Sequence, residues 1–261
     1  MMGLMSKLIS IVWLVLLVAF ARADGPPAFA PSTSYETMPI EGWTARVHRG
    51  FLADQPELAG ETLTLLADQL RAIVRMVPPA AVEKLRTVPI WVEESEPNHP
   101  CMCYHPAAGW LRDHGMNPDK ARAVEIANAR NFLDWCRDQP WMVFHELAHA
   151  YHHQFVLDGF ENEEVSKALE TARGRGQYER VLHVNGRELR HYALTNPMEY
   201  FAEGSEALFG TNDFHPFVRP ELNRHDPELY ALLRRLWLME PAREKAASRE
   251  SDAAGETPPR G

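Results

Sequence analysis

Cysteine is scarce in this chain. Three among 261 residues are too few to staple a small disulfide-built fold. Basic residues are also short, 27 lysines and arginines against 36 aspartates and glutamates, giving a formal net charge of −9. That deficit excludes the basic footprint with which proteins engage nucleic acid or anionic membranes. Long apolar runs are nearly absent. The exception extends from Leu8 to Phe20, interrupted only by Ser10, and falls short of the roughly 20 residues a spanning helix needs. No cysteine closes the run, which removes the usual lipid attachment point.

Lys7 precedes this apolar segment and Ala21-Arg22-Ala23 follows it. A charged start, a short apolar stretch and an A-x-A exit describe a secretory signal peptide over residues 1–23, cleaved before Asp24. The expectation is a secreted or periplasmic protein with no stable membrane insertion. Loss of Lys7 and Arg22 leaves 25 basic and 36 acidic residues, a net of −11. In an exported chain, Cys101, Cys103 and Cys136 count as one disulfide and one spare thiol, with Cys136 joined to Cys101 or Cys103. A cluster of these cysteines with His99 and His105 could instead hold a second metal, although C-x-C is tighter than the usual structural zinc spacing.

Residues 24–39, rich in Pro, Ala, Ser and Thr without apolar periodicity, read as a disordered linker, and the charged, Pro-ended residues 241–261 as a disordered tail. No linker-like composition divides residues 40–240, which we expect to form one domain. Its pattern predicts strands at Trp43–His48 and Val88–Glu93, and helices at Pro56–Met76, at Pro79–Arg86 and near Pro118–Arg137. It also predicts an irregular loop over Cys101–Gly109 and a hairpin turning at Asn185-Gly186. Asp226–Leu238 reads as an amphipathic helix that packs through Leu229, Leu232, Leu233, Leu236 and Trp237.

The chemistry concentrates at His145-Glu146-Leu147-Ala148-His149. At about 3.6 residues per turn, histidines four apart stand one turn above the other on one helix face, where two imidazoles can share one Zn²⁺. Glu146 is carried beside them, placed to take a proton from an activated water. The flanks, Trp141 to Phe144 and Ala150-Tyr151, are apolar, so the helix is expected to be buried. Its start should lie at Asp138 or Gln139, with Pro140 in the first position.

Catalytic zinc wants three protein ligands and one open corner. The places where a metzincin would carry Gly and His hold His152 and Phe155, so that pattern is excluded. His152 and His153 lie a turn further along the axis and read as outer or surface residues. A second acidic helix, opened by Asn196-Pro197, carries Glu199 and Glu203 four apart on one face. Glu199 is the expected ligand, and Glu203 the acid that accepts the N–H of a ligating imidazole; Glu206 is a weaker candidate for that part. Asn196 and Glu199 also have capping-box spacing, which could occupy Glu199 instead. His183 and His191, on the hairpin, read as surface residues.

His145–His149 followed by Tyr192-x-x-Thr195-Asn196-x-x-Glu199-x-Phe201-Ala202-Glu203 resembles the gluzincin metallopeptidases, most closely the group containing anthrax lethal factor, over residues 140–210. The resemblance implies an α+β, mainly helical, zincin-like domain with a small sheet, Glu199 as third zinc ligand and Tyr192 as donor to the developing oxyanion. The expected function is an exported zinc metallopeptidase acting on peptide or protein. Two other readings are a zinc hydrolase of a non-peptide amide, such as a cell-wall component, and a non-catalytic exported protein stabilised by zinc through a fourth ligand, His152 or His153. Amino-terminal sequencing of the exported protein should begin at Asp24; a chain retaining Met1 rejects cleavage.

Overall fold

A five-stranded sheet and a helical body share one apolar core in the computed structural model, which describes residues 29–239. The hairpin of β1 (Tyr35–Ile40) and β2 (Trp43–His48) turns at Glu41-Gly42, both with positive φ, as a two-residue primed turn requires. Then come α1 (Arg49–Asp54), α2 (Pro56–Met76), α3 (Pro79–Leu85), β3 (Ile90–Val92), β4 (Met102–His105), α4 (Ala108–Asp113), β5 (Ala123–Ile126) and α5 (Ala129–Trp135). The remainder is α6 (Met142–Phe155), α7 (Glu163–Arg175), a small hairpin of β6 (Val181–Leu182) and β7 (Glu188–Leu189), α8 (Pro197–Phe209), α9 (Arg219–His225) and α10 (Pro227–Leu236).

The sheet order is β1-β2-β3-β5-β4, with β2, β3 and β5 parallel and the two edge strands antiparallel. β3 and β5 are buried along their whole length, as parallel strands covered on both faces must be. Helix α2 buries Leu58, Thr62, Leu66, Leu70 and Ile73 at helical spacing and stops at Val77, which is extended as the residue before a proline tends to be.

Helices α6 and α8 pack together beside the edge strand β4. Trp237 locks them: its ring stacks on Tyr151 at 4.0 Å and lies 5.3 Å from Phe144, 5.8 Å from Phe201 and 5.4 Å from Phe209. Burying each such ring contributes about 1.5–3 kcal/mol. At Gly204 a Cβ would sit 2.7 Å from Leu229 and 2.9 Å from Leu233, so glycine is what allows α10 to approach α8 this closely.

Several expectations need correction. Residues 35–39, read as linker, lie in β1, where Tyr35 packs edge-on against Trp91 at 4.7 Å. Proline 39 masked the strand, but an edge strand tolerates it. Cys101–Gly109 contains β4 and the start of α4. The long helix near Pro118–Arg137 is a turn, β5 and α5, broken by the positive φ of Arg122 and restarted by Asn128, whose side chain caps Asn131 at 2.9 Å. Helix α6 begins after Trp141 without a side-chain cap. Helix α7 was missed, although Asn162 caps it and Gly176 ends it with φ +67°. No disulfide forms: Cys101 and Cys136 are buried free thiols, in contact with Met142 and Gln69. The 1–23 and 241–261 segments lie outside the described residues.

His152 and His191 are not surface residues. His152 is fully buried, stacked on Phe201 at 4.5 Å, and neither ring nitrogen makes a hydrogen bond. Burial, with the charges of His149 and His153, lowers its pKa to about 3; burial does the same to His191, also to about 3. The unfolded chain takes up protons below about 6.5 while the native chain does not. Stability is therefore complete above that pH and declines as pH falls toward 3, by about 2 kcal/mol per histidine at pH 5. His152→Phe should reduce the loss of thermal midpoint between pH 7 and pH 5; an undiminished loss rejects this assignment.

Candidate metal centre

Helix α6 carries His145 and His149 on one face, and α8 brings Glu199 to meet them. His145 Nε2 lies 3.0 Å from His149 Nε2 and 3.1 Å from Glu199 Oε2, and His149 Nε2 lies 3.2 Å from the same oxygen. These atoms form a nearly equilateral triangle. Tetrahedral zinc with bonds near 2.0–2.1 Å would set its ligand atoms about 3.3 Å apart, so the three donors fit a single cation. His149 Nδ1 is buried without a hydrogen-bond partner.

The capping relation between Asn196 and Glu199 runs in the direction that frees the acid. Asn196 Oδ1 accepts the backbone N–H of Glu199 at 2.9 Å, and the glutamate side chain points to the histidines. Burial alone would raise the Glu199 pKa, but hydrogen bonds and charge from His145 and His149 hold it well below the ordinary carboxylate range. Burial likewise opposes a charged His145, yet its contacts with Glu199 and Glu206 raise its pKa well above the usual imidazole value. The site is thus built to hold positive charge at the His145 position.

The acid nearest to His145 Nδ1 is Glu206, not Glu203. Glu206 Oε1 lies 2.6 Å from His145 Nδ1, whereas Glu203 Oε1 is 3.6 Å away. Glu203 is instead occupied by Asn212, whose amide donates to its carboxylate at 2.8 Å and to its backbone carbonyl at 2.9 Å. Burial and the neighbouring Glu206 charge raise the Glu203 pKa well above normal. The i, i+3 step from Glu203 to Glu206 was the available signal, and only the rotation of α8 against α6 decides between them.

These groups line a cleft of about 630 Å³ that Glu146, Tyr192, His183 and Asp213 also face. No lysine or arginine is among its lining residues. The Glu146 carboxylate makes no side-chain hydrogen bond or ion pair with another described residue and lines the cleft. Tyr192, 48% exposed, belongs to a short turn over Tyr192–Leu194, not to the hairpin. His183 lies 3.4 Å from Asp213, which also accepts from Gln139 at 3.1 Å; His183, expected at the surface, is half-buried against the cleft. His152 and His153 join no group of converging donors among the described residues.

No family model and no curated protein matches the sequence. Among solved structures the chain is similar to the Pro-Pro endopeptidase PPEP-2 from Paenibacillus alvei, with 16% identity over 70% of this chain and 90% of that one, at a TM-score of 0.36.

Glu206→Gln should weaken binding of an added divalent cation about 10–100-fold, measured by competition with a chromogenic chelator, and Glu203→Gln should do less. The reverse order would return the orienting part to Glu203.

Proposed function

We propose that the protein is an exported zinc-dependent peptidase of zincin-like design. The observation that carries the reading is the convergence of His145, His149 and Glu199 on one point at the floor of a cleft that Glu146 and Tyr192 also face. The donor set of two imidazoles and one carboxylate suits zinc and leaves a fourth corner open. A divalent ion held by these residues would supply Lewis acidity toward a carbonyl and would lower the pKa of water to about 7.

The chain's own residues do the rest. Glu146 accepts a proton from the attacking water and passes it to the leaving amine. Tyr192 donates its phenol O–H to the oxygen on which negative charge grows. Partial burial and the nearby Glu199 carboxylate raise the Tyr192 pKa, keeping the phenol protonated and able to donate. Glu206 fixes the tautomer of His145 so that its Nε2 faces the ion.

A peptide is favoured over another amide by β4. It is an edge strand, no described strand pairs with its outer side, and its residues line the same cleft as Glu146. An extended peptide can add to such an edge through main-chain hydrogen bonds. The apolar lining, including Trp135, Phe160, Met198 and Phe214, suits uncharged side chains. A purely structural zinc site would need a fourth protein donor, and the converging group comprises three.

Glu146→Gln should retain about one zinc per chain while kcat falls by about 10²–10⁴. Tyr192→Phe should lower kcat more than it changes KM, because its hydrogen bond strengthens in the transition state. Unchanged hydrolysis of a peptide library by Glu146→Gln removes that residue from the reaction.

A further inference from the structure

A second convergence of metal-ligating side chains lies outside this centre. His99, Cys103 and His105 bring one donor atom each within 4.8 Å of one another. Cys103 and His105 are two apart on β4, so both project from the same side of the strand. Cys103 Sγ and His105 Nε2 stand 3.5 Å apart, close to the roughly 3.6 Å that sulfur and nitrogen ligands subtend at tetrahedral zinc. His99 comes from the loop between β3 and β4, with its ring centroid 5.3 Å from that of His105.

A buried ionic network explains part of this arrangement. Glu125 accepts a hydrogen bond from His105 at 2.6 Å, and Lys120 donates to Glu125 at 2.5 Å and to Glu93 at 2.7 Å. Those contacts satisfy His105 and clamp its ring. They do nothing for the other two members. His99 Nε2 is buried with no hydrogen-bond partner, and Cys103 Sγ has only the His105 ring nitrogen. The Glu125 bond falls on His105 Nε2, the same ring nitrogen that faces Cys103, so a cation seated between thiol and imidazole would take the place of the proton shared with Glu125.

We propose that His99, Cys103 and His105 form a second site, for a thiophilic divalent cation of the zinc or cobalt class, which ties the β3–β4 loop to the edge strand. Cys103 faces the cleft that also contains Glu146, so the cation stiffens the wall along which an extended chain would lie. A disulfide between Cys103 and Cys136, one of the two pairings open from the sequence, would destroy this site. Cys136 instead accepts from Gln69 at 3.2 Å, and Cys101 contacts Met142 at 3.4 Å, so Cys103 is the thiol left for a metal.

The test is cobalt(II) titration of the full chain, stripped with chelator and kept reduced with a phosphine. The His145–His149–Glu199 centre contains no sulfur, so a thiolate-to-cobalt charge-transfer band in the near ultraviolet reports the second site alone. The expected result is two equivalents bound, with the band saturating after one of them. Cys103→Ser should abolish the band and reduce binding to one equivalent. His99→Ala, on a half-buried loop residue, should weaken that step at least about tenfold, and Cys101→Ser should leave the band unchanged. One equivalent without the band overturns this site and leaves the catalytic reading standing; one equivalent with the band supports this site and sinks that reading. A band that survives Cys103→Ser also overturns the proposal.

Discussion

Packing of three glutamates on one helix, Glu203 and Glu206 buried and Glu199 half-buried, is the constraint around which this protein is arranged. Glu199, Glu203 and Glu206 share a face of α8, a helix buried from Tyr200 to Phe209. Each carboxylate has lost most of its water, a cost of several kcal/mol unless an opposite charge or donors replace it. His145 is placed to answer two of them at once, with Nδ1 toward Glu206 and Nε2 toward Glu199. Asn212 answers the third. A cation in the triangle of His145, His149 and Glu199 would take over the charge compensation that a proton on His145 otherwise provides. Metal binding and the stability of the α6–α8 contact are in this way one problem.

Such a centre requires that α8 cannot rotate or slide. Asn196 caps its first turn. Tyr200 and Tyr178 both donate to Asp226 Oδ2, at 2.5 and 3.1 Å, and Asp226 Oδ1 caps α10 through Leu229 N at 3.0 Å. One aspartate thus joins the segment before β6, the acidic helix and the terminal helix. Farther along, the Trp237 indole donates to Ser205 Oγ at 2.8 Å, between Glu203 and Glu206 in sequence. Every acid of the centre therefore has an anchored neighbour within one turn. Sites on packed helices hold tighter geometry than sites on loops.

Periodicity made much of this legible. Strand β2 and helix α2 have the limits read from alternation and helical spacing; α10 buries Leu229, Leu232 and Leu233, Trp237 at its C-cap is buried, and Leu236 is half-buried. The two histidines of α6 and the glutamate of α8 converge, and local spacing controls which face each occupies. The errors came where a tertiary partner decides. β4 and β5 are four residues each, too short to carry a period, and they exist because they pair. His152 and His191 carry no label of burial in their own neighbourhoods; Phe201 and Phe214, far along the chain, enclose them. Glu206 and not Glu203 reaches His145 Nδ1 for the same reason, since both lie on the acidic face and only the approach of α6 separates them.

The placement of Tyr192 shows how a group can be exposed and yet fixed. Its neighbour His191 is 2% exposed, stacks on Phe214 at 4.8 Å and accepts the Ala193 N–H at 3.1 Å. Arg173 from α7 donates to the carbonyls of Leu194 and Thr195 at 2.7 and 3.3 Å. The backbone on both sides of Tyr192 is held from the core while the phenol stands at the mouth of the cleft. An oxyanion donor has to be reachable when substrate enters and must not need reorganising when charge develops. With β4 forming one wall and the Tyr192 turn entering from the hairpin side, an extended chain paired to the strand would run between them. Its carbonyl could then face the phenol and the triangle of donors together. Trp135, Phe160 and Phe214 line that passage, so under the proposed function selection among side chains would fall to the cleft lining and not to Glu146.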